Sequence, residues 1–600
     1  MANMIHLEIN GKSVEVPQGT NLLNAARAAG INIPNLCYHP DLKPGAACGL
    51  CICRQLVPDR KDPSKLVVSP KMLRACCTEA TEGMKIITHD PEISAVRKTV
   101  LELILANHPN ECLQCRRNGS CELQSMAAAF GILNVPFPTE VSIATPDASS
   151  CSIVLDPRKC IKCGRCVEVC QHMQDVWALE FIGRGEKTLM KPAADASLTN
   201  SPCVRCGQCI THCPVGAIFE KDDTIRVAKA LQDPSKYCVV QMAPSVRVAL
   251  GEEFGLPSGS IVTGQLYAAL RAMGYKKVFD TNFGADATIM EEGFEFIERL
   301  NGKGAMPQFT SCCPGWVDWC EKYAPDFLEN LSTTKSPMQI ESALIKTYFA
   351  EREGIDPKDI FVVAIMPCTA KKWEIKRSKE MSASGQQDTD VVLTTRELAR
   401  MCKTFGIDPS ALPEEPVDSL LGTYSGAGTI FGFTGGVMEA ALRTAYCVVS
   451  GEATPPVLEF KDIRTMEGIK EATITIPKKD GTKVDVKVAV VHQLSNVEPV
   501  LEQIRSDRAA GVKPRYDFVE VMACRGGCIG GGGQPYGTTD EVRANRTKGL
   551  MTDDERCTVR LSHENPEIKT LYSSYLEAPL CEKSHHLLHT TYSQRQPYAN

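Results

Sequence analysis

The 600-residue chain carries 72 acidic and 66 basic side chains, a formal charge of −6, and 43% hydrophobic residues. One hydrophobic core rarely grows beyond about 250–300 residues, so several domains are expected, and a mildly acidic chain without a Lys/Arg stripe excludes a nucleic-acid partner on charge. No run approaches the ~18 apolar residues of a membrane span, and the start MANMIHLEINGKSVEV has Glu8 and strand-like alternation where a secretory signal needs a basic, then apolar, block, so the reading is cytoplasmic. There are 29 cysteines, densest between Cys37 and Cys213. A disulfide scaffold belongs to short secreted chains, so metal ligation is the better explanation.

Residues 4–17 read as two alternating strands around Asn10-Gly11, a hairpin signal. Thr20 is predicted to cap a short helix ended by Gly30. Cys37, Cys48 and Cys51 follow as C-x10-C-x2-C, with Cys76 and Cys77 further on. Three thiolates on a tight loop and one from a later segment can hold a 2Fe-2S cluster. The stretch resembles the ferredoxin-like N-terminal domain of complex I large iron-sulfur subunits and multidomain hydrogenases. That resemblance points to Cys76, where the family's Ala-Cys falls, over the adjacent Cys77.

His108, Cys112, Cys115 and Cys121 form H-x3-C-x2-C-x5-C. His with three Cys is also an accepted structural zinc set, but the segment and the Glu-Leu-Gln after it resemble the His-ligated 4Fe-4S site of those same families. Cys160, Cys163, Cys166 and Cys170 then form C-x2-C-x2-C-x3-C, and Cys203, Cys206, Cys209 and Cys213 repeat it before Pro214. This is the bacterial two-cluster ferredoxin pattern, in which the fourth Cys of each run ligates the other cluster. Cys213 is therefore assigned to the first three cysteines of the first run, and Cys170 to those of the second.

From about residue 235 the texture changes. Near-continuous apolar runs at 237–244, 276–282, 360–368, 486–494 and 516–524 alternate with helical segments, which predicts parallel strands covered by helices. Ligands in such folds collect outside the carboxyl ends of the strands. Two of these runs end in Cys368 and Cys524, and another in Met-Ala-Pro-Ser.

The segments TSCCPGW (310–316), MPCTAKKWE (366–374) and VMACRGGCIGGGGQP (521–535) resemble the three signature segments that hold the H-cluster of FeFe hydrogenases. The resemblance covers essentially the whole chain, including the order of its four accessory clusters. It implies an α+β multidomain protein: a β-grasp 2Fe-2S ferredoxin domain over 1–90, a 4Fe-4S domain with one His and three Cys ligands over 91–145, a two-cluster 4Fe-4S ferredoxin domain over 146–228, and an α/β two-lobed H-cluster domain with parallel sheets over 229–600, ending in a small-subunit-like tail. The implied cofactors are one 2Fe-2S cluster, three accessory 4Fe-4S clusters and an H-cluster, about 20 irons per chain.

By the same resemblance, Cys313, Cys368, Cys524 and Cys528 ligate the 4Fe-4S half of the H-cluster. Cys528 also bridges to a di-iron subsite carrying CO, cyanide and a dithiolate amine, which requires maturation enzymes. Lys371 matches the donor to a cyanide ligand, Pro244, Ser245 and the glycine run over 526–533 match donors around the diatomic ligands, and Met366 and Met522 match apolar packing beside the di-iron unit. Splitting of hydrogen releases a proton that needs a route out, and Cys312, Glu292, Ser332, Glu295 and Arg299 match the family's relay in that order. Glu292, Glu295 and Arg299 share one helix face by spacing, and Glu295 with Arg299 alone would be an i,i+4 ion pair worth about 0.2–0.5 kcal/mol. Glu291 and Glu298, on other faces, are expected to take no part.

Two positions depart from the family pattern: Met338 stands where Gln is common, and Arg525 where Pro is common. The implied activity is reversible interconversion of hydrogen with protons and electrons. The electron partner is ferredoxin or flavin- and NAD(P)-binding subunits, since no G-x-G-x-x-G follows a strand in this chain. A hydrogen sensor or a non-catalytic iron-sulfur protein is the alternative. The nine remaining cysteines, Cys53, Cys77, Cys151, Cys238, Cys320, Cys402, Cys447, Cys557 and Cys581, are expected to stay reduced and without metal.

Overall fold

The computed structural model describes residues 3–138, 141–456, 461–462 and 468–598. Strands Met4–Ile9 and Lys12–Pro17 form the expected hairpin. Asn10 and Gly11 have φ of +51° and +78°, the left-handed pair that a two-residue turn of this hand requires. Three further strands complete the sheet in the order Lys12–Pro17, Met4–Ile9, Lys85–Ile87, Ile52–Pro58, Leu66–Arg74. Its buried side, with Ile5, Leu7, Ile9, Val14 and Val16, packs on the helix Leu22–Ala28. That helix is capped by Asn21, whose side chain accepts from Asn24 N at 2.9 Å, and not by Thr20. The Thr20 hydroxyl instead donates to Pro17 O at 2.6 Å, closing the turn before the helix.

The buried Arg97, on the helix Pro91–Ala106, donates to Leu50 O at 2.9 Å and Ile52 O at 2.6 Å. This fastens the cysteine loop of the first domain to the second. The two CxxCxxC runs each wind round a glycine, Gly164 or Gly207, with φ of +83° and +72°, that starts a short helix. The strands Ile153–Leu155 and Ile218–Glu220 pair beneath them.

The remainder holds two sheets. One is fully parallel, in the order Lys277–Asp280, Tyr237–Met242, Ile360–Met366, Val391–Thr394. In the other, Gln308–Phe309, Phe518–Met522 and Lys483–His492 are parallel, and Ile469–Pro477 joins antiparallel. This second sheet is therefore mixed. Its antiparallel member alternates buried and exposed residues at its far end, as a strand solvated on one side does, so no continuous apolar run marks it in the sequence. Val362, Val363 and Ile365 are fully buried, each worth about 1.5–3 kcal/mol by transfer from water. Among the described residues, no helix is long and apolar enough to cross a membrane.

Beyond the second sheet, the C-terminal helices Pro566–Leu571 and Glu582–Leu588 lay Leu571, Leu587 and Leu588 against Phe283, Ile340 and Phe349. Glu291 is their anchor. It is fully buried and accepts from Tyr572 Oη at 2.5 Å, Leu580 N at 2.9 Å and Ser584 Oγ at 3.1 Å.

One buried pair locks the carboxyl end of the four-stranded sheet. Arg247, with no exposed side-chain surface, donates to both Asp280 oxygens at 2.8 and 2.7 Å, to Tyr424 Oη at 2.8 Å and to Asp553 Oδ2 at 2.9 Å. Asp280 also caps the helix Thr281–Leu300, accepting from Asn282 N at 3.0 Å. Removing one partner of such a pair leaves a buried charge unanswered. Arg247→Met should lower stability by about 3–5 kcal/mol, read from urea unfolding followed by circular dichroism, and a loss below about 1 kcal/mol would contradict this role.

Candidate active site

The carboxyl ends of both sheets converge on one cavity. Pro244 and Ser245 follow the strand Tyr237–Met242, Cys368 follows Ile360–Met366, and Cys524 follows Phe518–Met522. Cys313 sits at the start of the helix Pro314–Tyr323, and Cys528 lies in the tight turn Gly527–Gly530. Cys312, Lys371, Met366, Met522 and Met338 complete the walls. The glycine run is steric in origin. A Cβ on Gly532 would meet Cys206 O at 2.2 Å, and one on Gly531 would meet Pro367 O at 2.3 Å. Only bare backbone lets these loops close on one another.

The electrostatics of the cavity favour a bound cation cluster. Burial, then the neighbouring Cys368 and Cys313, pushes the Cys528 thiol up to about 12. Burial, then Cys313, pushes Cys368 up to about 11, and Cys524 is raised by burial and then by Cys368. These groups act on one another as near neighbours and resist ionising in the bare chain. Lys371 is the nearby counter-charge. Burial works against its ammonium, but Glu374 at 2.8 Å outweighs it, and its Nζ donates to Cys312 O at 3.1 Å. One ammonium does not balance four thiolates, whereas iron does. Four soft ligands on a dry cavity fit a cluster.

Cys312 is also raised by burial, then by Glu292, and Glu292 by burial, then by Glu295 and Glu520. Burial thus favours the protonated form of both. Both oxygens of the buried Glu292 lack a hydrogen-bond partner, a costly arrangement that marks functional positions. The Ser332 hydroxyl donates to Glu295 Oε2 at 2.6 Å, and Arg299 Nη2 donates to Glu295 Oε1 at 2.7 Å. Arg299 is more than half of an ion pair. It is buried and donates to four carbonyls, of Ala305, Glu329, Asn330 and Leu331, at 2.8–3.2 Å.

The other cysteine sets gather as well. Cys48 N donates to Cys37 Sγ at 3.4 Å, and the Cys76 thiol, raised by its hydrogen bonds to Cys37 and Cys51, faces the same point, while Cys77 is exposed. A small cavity is lined by Cys170 together with Cys203, Cys206 and Cys209. Cys166, raised by burial, is surrounded by Cys160, Cys163 and Cys213. Both arrangements follow the crossed pairing of fourth cysteines. His108 is 8% exposed, its Nε2 has no hydrogen-bond partner, and burial keeps the ring neutral, as a metal ligand requires. Cys121 is buried beside Cys115, whose Sγ lies where a Gly216 Cβ would be, at 2.4 Å; Cys112 lies in the same loop.

Residues outside the expected set also shape the site. Gln534 donates to Ser245 O at 3.1 Å and to Cys528 O at 3.3 Å, and Thr395 donates to its Oε1 at 2.9 Å. Arg396, 2% exposed, donates to Gly532 O and to Glu220 Oε2, both at 2.8 Å. Gln534 lay inside a recognised segment, but Arg396 carried no local signal, since its partners lie over a hundred residues away.

Known proteins agree with this arrangement. Residues 236–532 match the iron only hydrogenase large subunit, C-terminal domain, and 540–595 the iron hydrogenase small subunit. Upstream, 2–91 match a 2Fe-2S iron-sulfur cluster binding domain, 97–136 the NADH-ubiquinone oxidoreductase-G iron-sulfur binding region, and 159–217 a 4Fe-4S dicluster domain. The chain is 42% identical to the NADP-reducing hydrogenase subunit HndD of Solidesulfovibrio fructosivorans, covering 99% of this chain and 100% of that one. It is 37% identical to iron hydrogenase 1 of Clostridium pasteurianum, covering 98% and 99%. A solved apo FeFe hydrogenase of Chlamydomonas reinhardtii, in a variant form, superposes with a TM-score of 0.56 at 41% identity, over 63% of this chain and all of that one. With accessory iron-sulfur domains ahead of an H-cluster domain, the chain belongs to the FeFe hydrogenase family.

Proposed function

We propose that Cys313, Cys368, Cys524 and Cys528 would hold an H-cluster in this cavity, and that the protein catalyses the reversible conversion of hydrogen to protons and electrons. The convergence of four cysteines from three separate segments on one cavity, beside Cys312 and Glu292, whose protonated forms burial favours, carries the reading. When bound, the group supplies the centre at which hydrogen is split and its electrons are collected.

The chain's own residues orient the group and move the proton. Lys371 offers an ammonium to an anionic ligand, Pro244 and Ser245 fix the wall opposite, and Met366 and Met522 keep the pocket apolar. The proton passes from Cys312 Sγ to a Glu292 oxygen, then through Ser332 Oγ to Glu295 Oε2, and Arg299 holds Glu295 in place. Glu291 stays outside this route as the anchor of the tail.

Cys203, Cys206, Cys209 and Cys170 would hold the 4Fe-4S cluster nearest the cavity, the first to take its electrons. Cys206 supports this order, since it acts on Cys524 across the seam. Cys160, Cys163, Cys166 and Cys213 would hold the next cluster, and beyond it Cys37, Cys48, Cys51 and Cys76 would hold a 2Fe-2S cluster on one branch and His108, Cys112, Cys115 and Cys121 a 4Fe-4S cluster on the other. Gly45, in the 2Fe-2S loop, lies 4.0 Å by its Cβ position from Cys163 O, and Gly216 touches Cys115, which supports both branches. The protein works in the cytoplasm after maturation enzymes have installed the di-iron unit. Its electron partner is a separate flavin- and NAD(P)-binding subunit. Two features support this: the chain has no dinucleotide fingerprint of its own, and its full-length relative is named as a subunit of an NADP-reducing hydrogenase.

Cys312→Ala and Glu292→Gln should each cut hydrogen turnover by about 100-fold or more with iron content unchanged, and a loss under about threefold would contradict the relay. Untagged purification should bring down a flavin-containing subunit. A single band that reduces ferredoxin would contradict the partner assignment.

A further inference from the structure

His39, Asp41 and His212 form a cluster that the hydrogenase chemistry does not use. His39 and Asp41 lie in the loop between Cys37 and Cys48, and His212 ends the helix Gln208–His212 just before Cys213. The three residues bring one ring nitrogen or carboxylate oxygen each to within 4.8 Å of one another. Asp41 Oδ2 is the shared point, 3.7 Å from His212 Nε2 and 4.0 Å from His39 Nδ1. The side chains of Asp41 and His212 are 1% and 4% exposed.

Two atoms at the centre of this cluster have no hydrogen-bond partner, Asp41 Oδ2 and His212 Nε2. The tautomer explains why this matters. His212 Nδ1 lies 2.8 Å from Gln208 O, which accepts its proton. That leaves the Nε2 lone pair facing a carboxylate oxygen, acceptor against acceptor, in a dry pocket. His39 Nδ1 takes only a long hydrogen bond, 3.2 Å, from the Asp41 amide. The rings of His39 and His212 stand 4.3 Å apart at 54°, so neither blocks the space between them.

The nearby cations are engaged elsewhere. Arg543 donates to the other oxygen, Asp41 Oδ1, at 2.7 Å and shares its charge with Asp540, also at 2.7 Å. Arg165 is committed to Glu122 through two bonds of 2.8 and 2.9 Å. A carboxylate steadied by an arginine on one oxygen and a histidine fixed by a carbonyl on its far nitrogen are the outer supports that metal ligands carry.

We propose that His39, Asp41 and His212 bind one zinc ion, with water as the fourth ligand. Zinc takes nitrogen and carboxylate oxygen at about 2.0–2.2 Å, so tetrahedral ligand atoms lie about 3.4 Å apart, and the observed 3.7 and 4.0 Å need only a small closure. The ion would clamp the 2Fe-2S loop to the two-cluster ferredoxin domain, with Arg543 extending the clamp to the helix Asp540–Arg556 of the catalytic domain. It takes no part in the chemistry and sets the relative position of two clusters in the wire.

The test uses the matured holoenzyme, equilibrated with zinc chloride, desalted, and assayed for zinc and iron by mass spectrometry. Wild type should hold about one zinc per chain, and Asp41→Asn and His212→Asn should lose at least about four fifths of it with iron retained. Zinc-edge X-ray absorption of the wild type should show nitrogen and oxygen ligands without sulfur. A zinc-free wild type, zinc bound through sulfur at unfilled cysteine sites, or zinc unchanged in both variants would overturn the site. Should the variants also lose iron, the ligand set of the wild type decides.

Discussion

Ionised sulfur is hard to keep in a dry interior, and this protein is built around that difficulty. Burial raises the thiol pKa values of Cys166, Cys206 and Cys209 in the two-cluster domain and of Cys524 and Cys528 in the catalytic cavity, and neighbouring cysteines raise them further. As thiolates in the bare chain they would repel one another with few cations in reach. Iron resolves the conflict by supplying positive charge at the point where the sulfurs meet. Folding and metal loading are therefore coupled, as in other metallodomains whose ligands must lose protons to bind.

The same dryness serves proton movement. Burial favours the protonated forms of Cys312 and Glu292, the first two members of the proposed relay. Beyond them the route becomes polar, where Glu295 meets Ser332, Thr333 N and Arg299. The helix Thr281–Leu300 carries the two carboxylates, and Asp280 at its start is locked to Arg247, only two residues from Ser245 on the cavity wall. One buried ion pair thus fixes the relay relative to the site it serves.

Much of this was legible in the residues. Cysteine spacing is a local signal, because cluster ligands must reach one point from a short loop, and the motifs located every cysteine set that the fold brings together. Strands buried on both faces were legible as apolar runs. What escaped were features that depend on partners far away in the chain. The strand Ile469–Pro477 is half solvated, and its register is set by Lys483–His492. Arg396 has meaning only beside Gly532 and Glu220. Thr20 and Asn21 are both good caps, and only the turn to Pro17 decided between them. Glu291 was expected only to take no part in the relay, and its anchoring role was not legible because its neighbours, Tyr572, Ser584 and His589, come from the distant tail.

The central claim is that the cavity between the two sheets binds an H-cluster through Cys313, Cys368, Cys524 and Cys528. Infrared absorption of the matured protein tests it most directly, because the protein itself has no bands in the metal-carbonyl and cyanide region. The account predicts such bands in the wild type, and their loss in Cys528→Ala with the accessory clusters intact. A fully matured chain carrying its accessory iron but showing no such bands would contradict it.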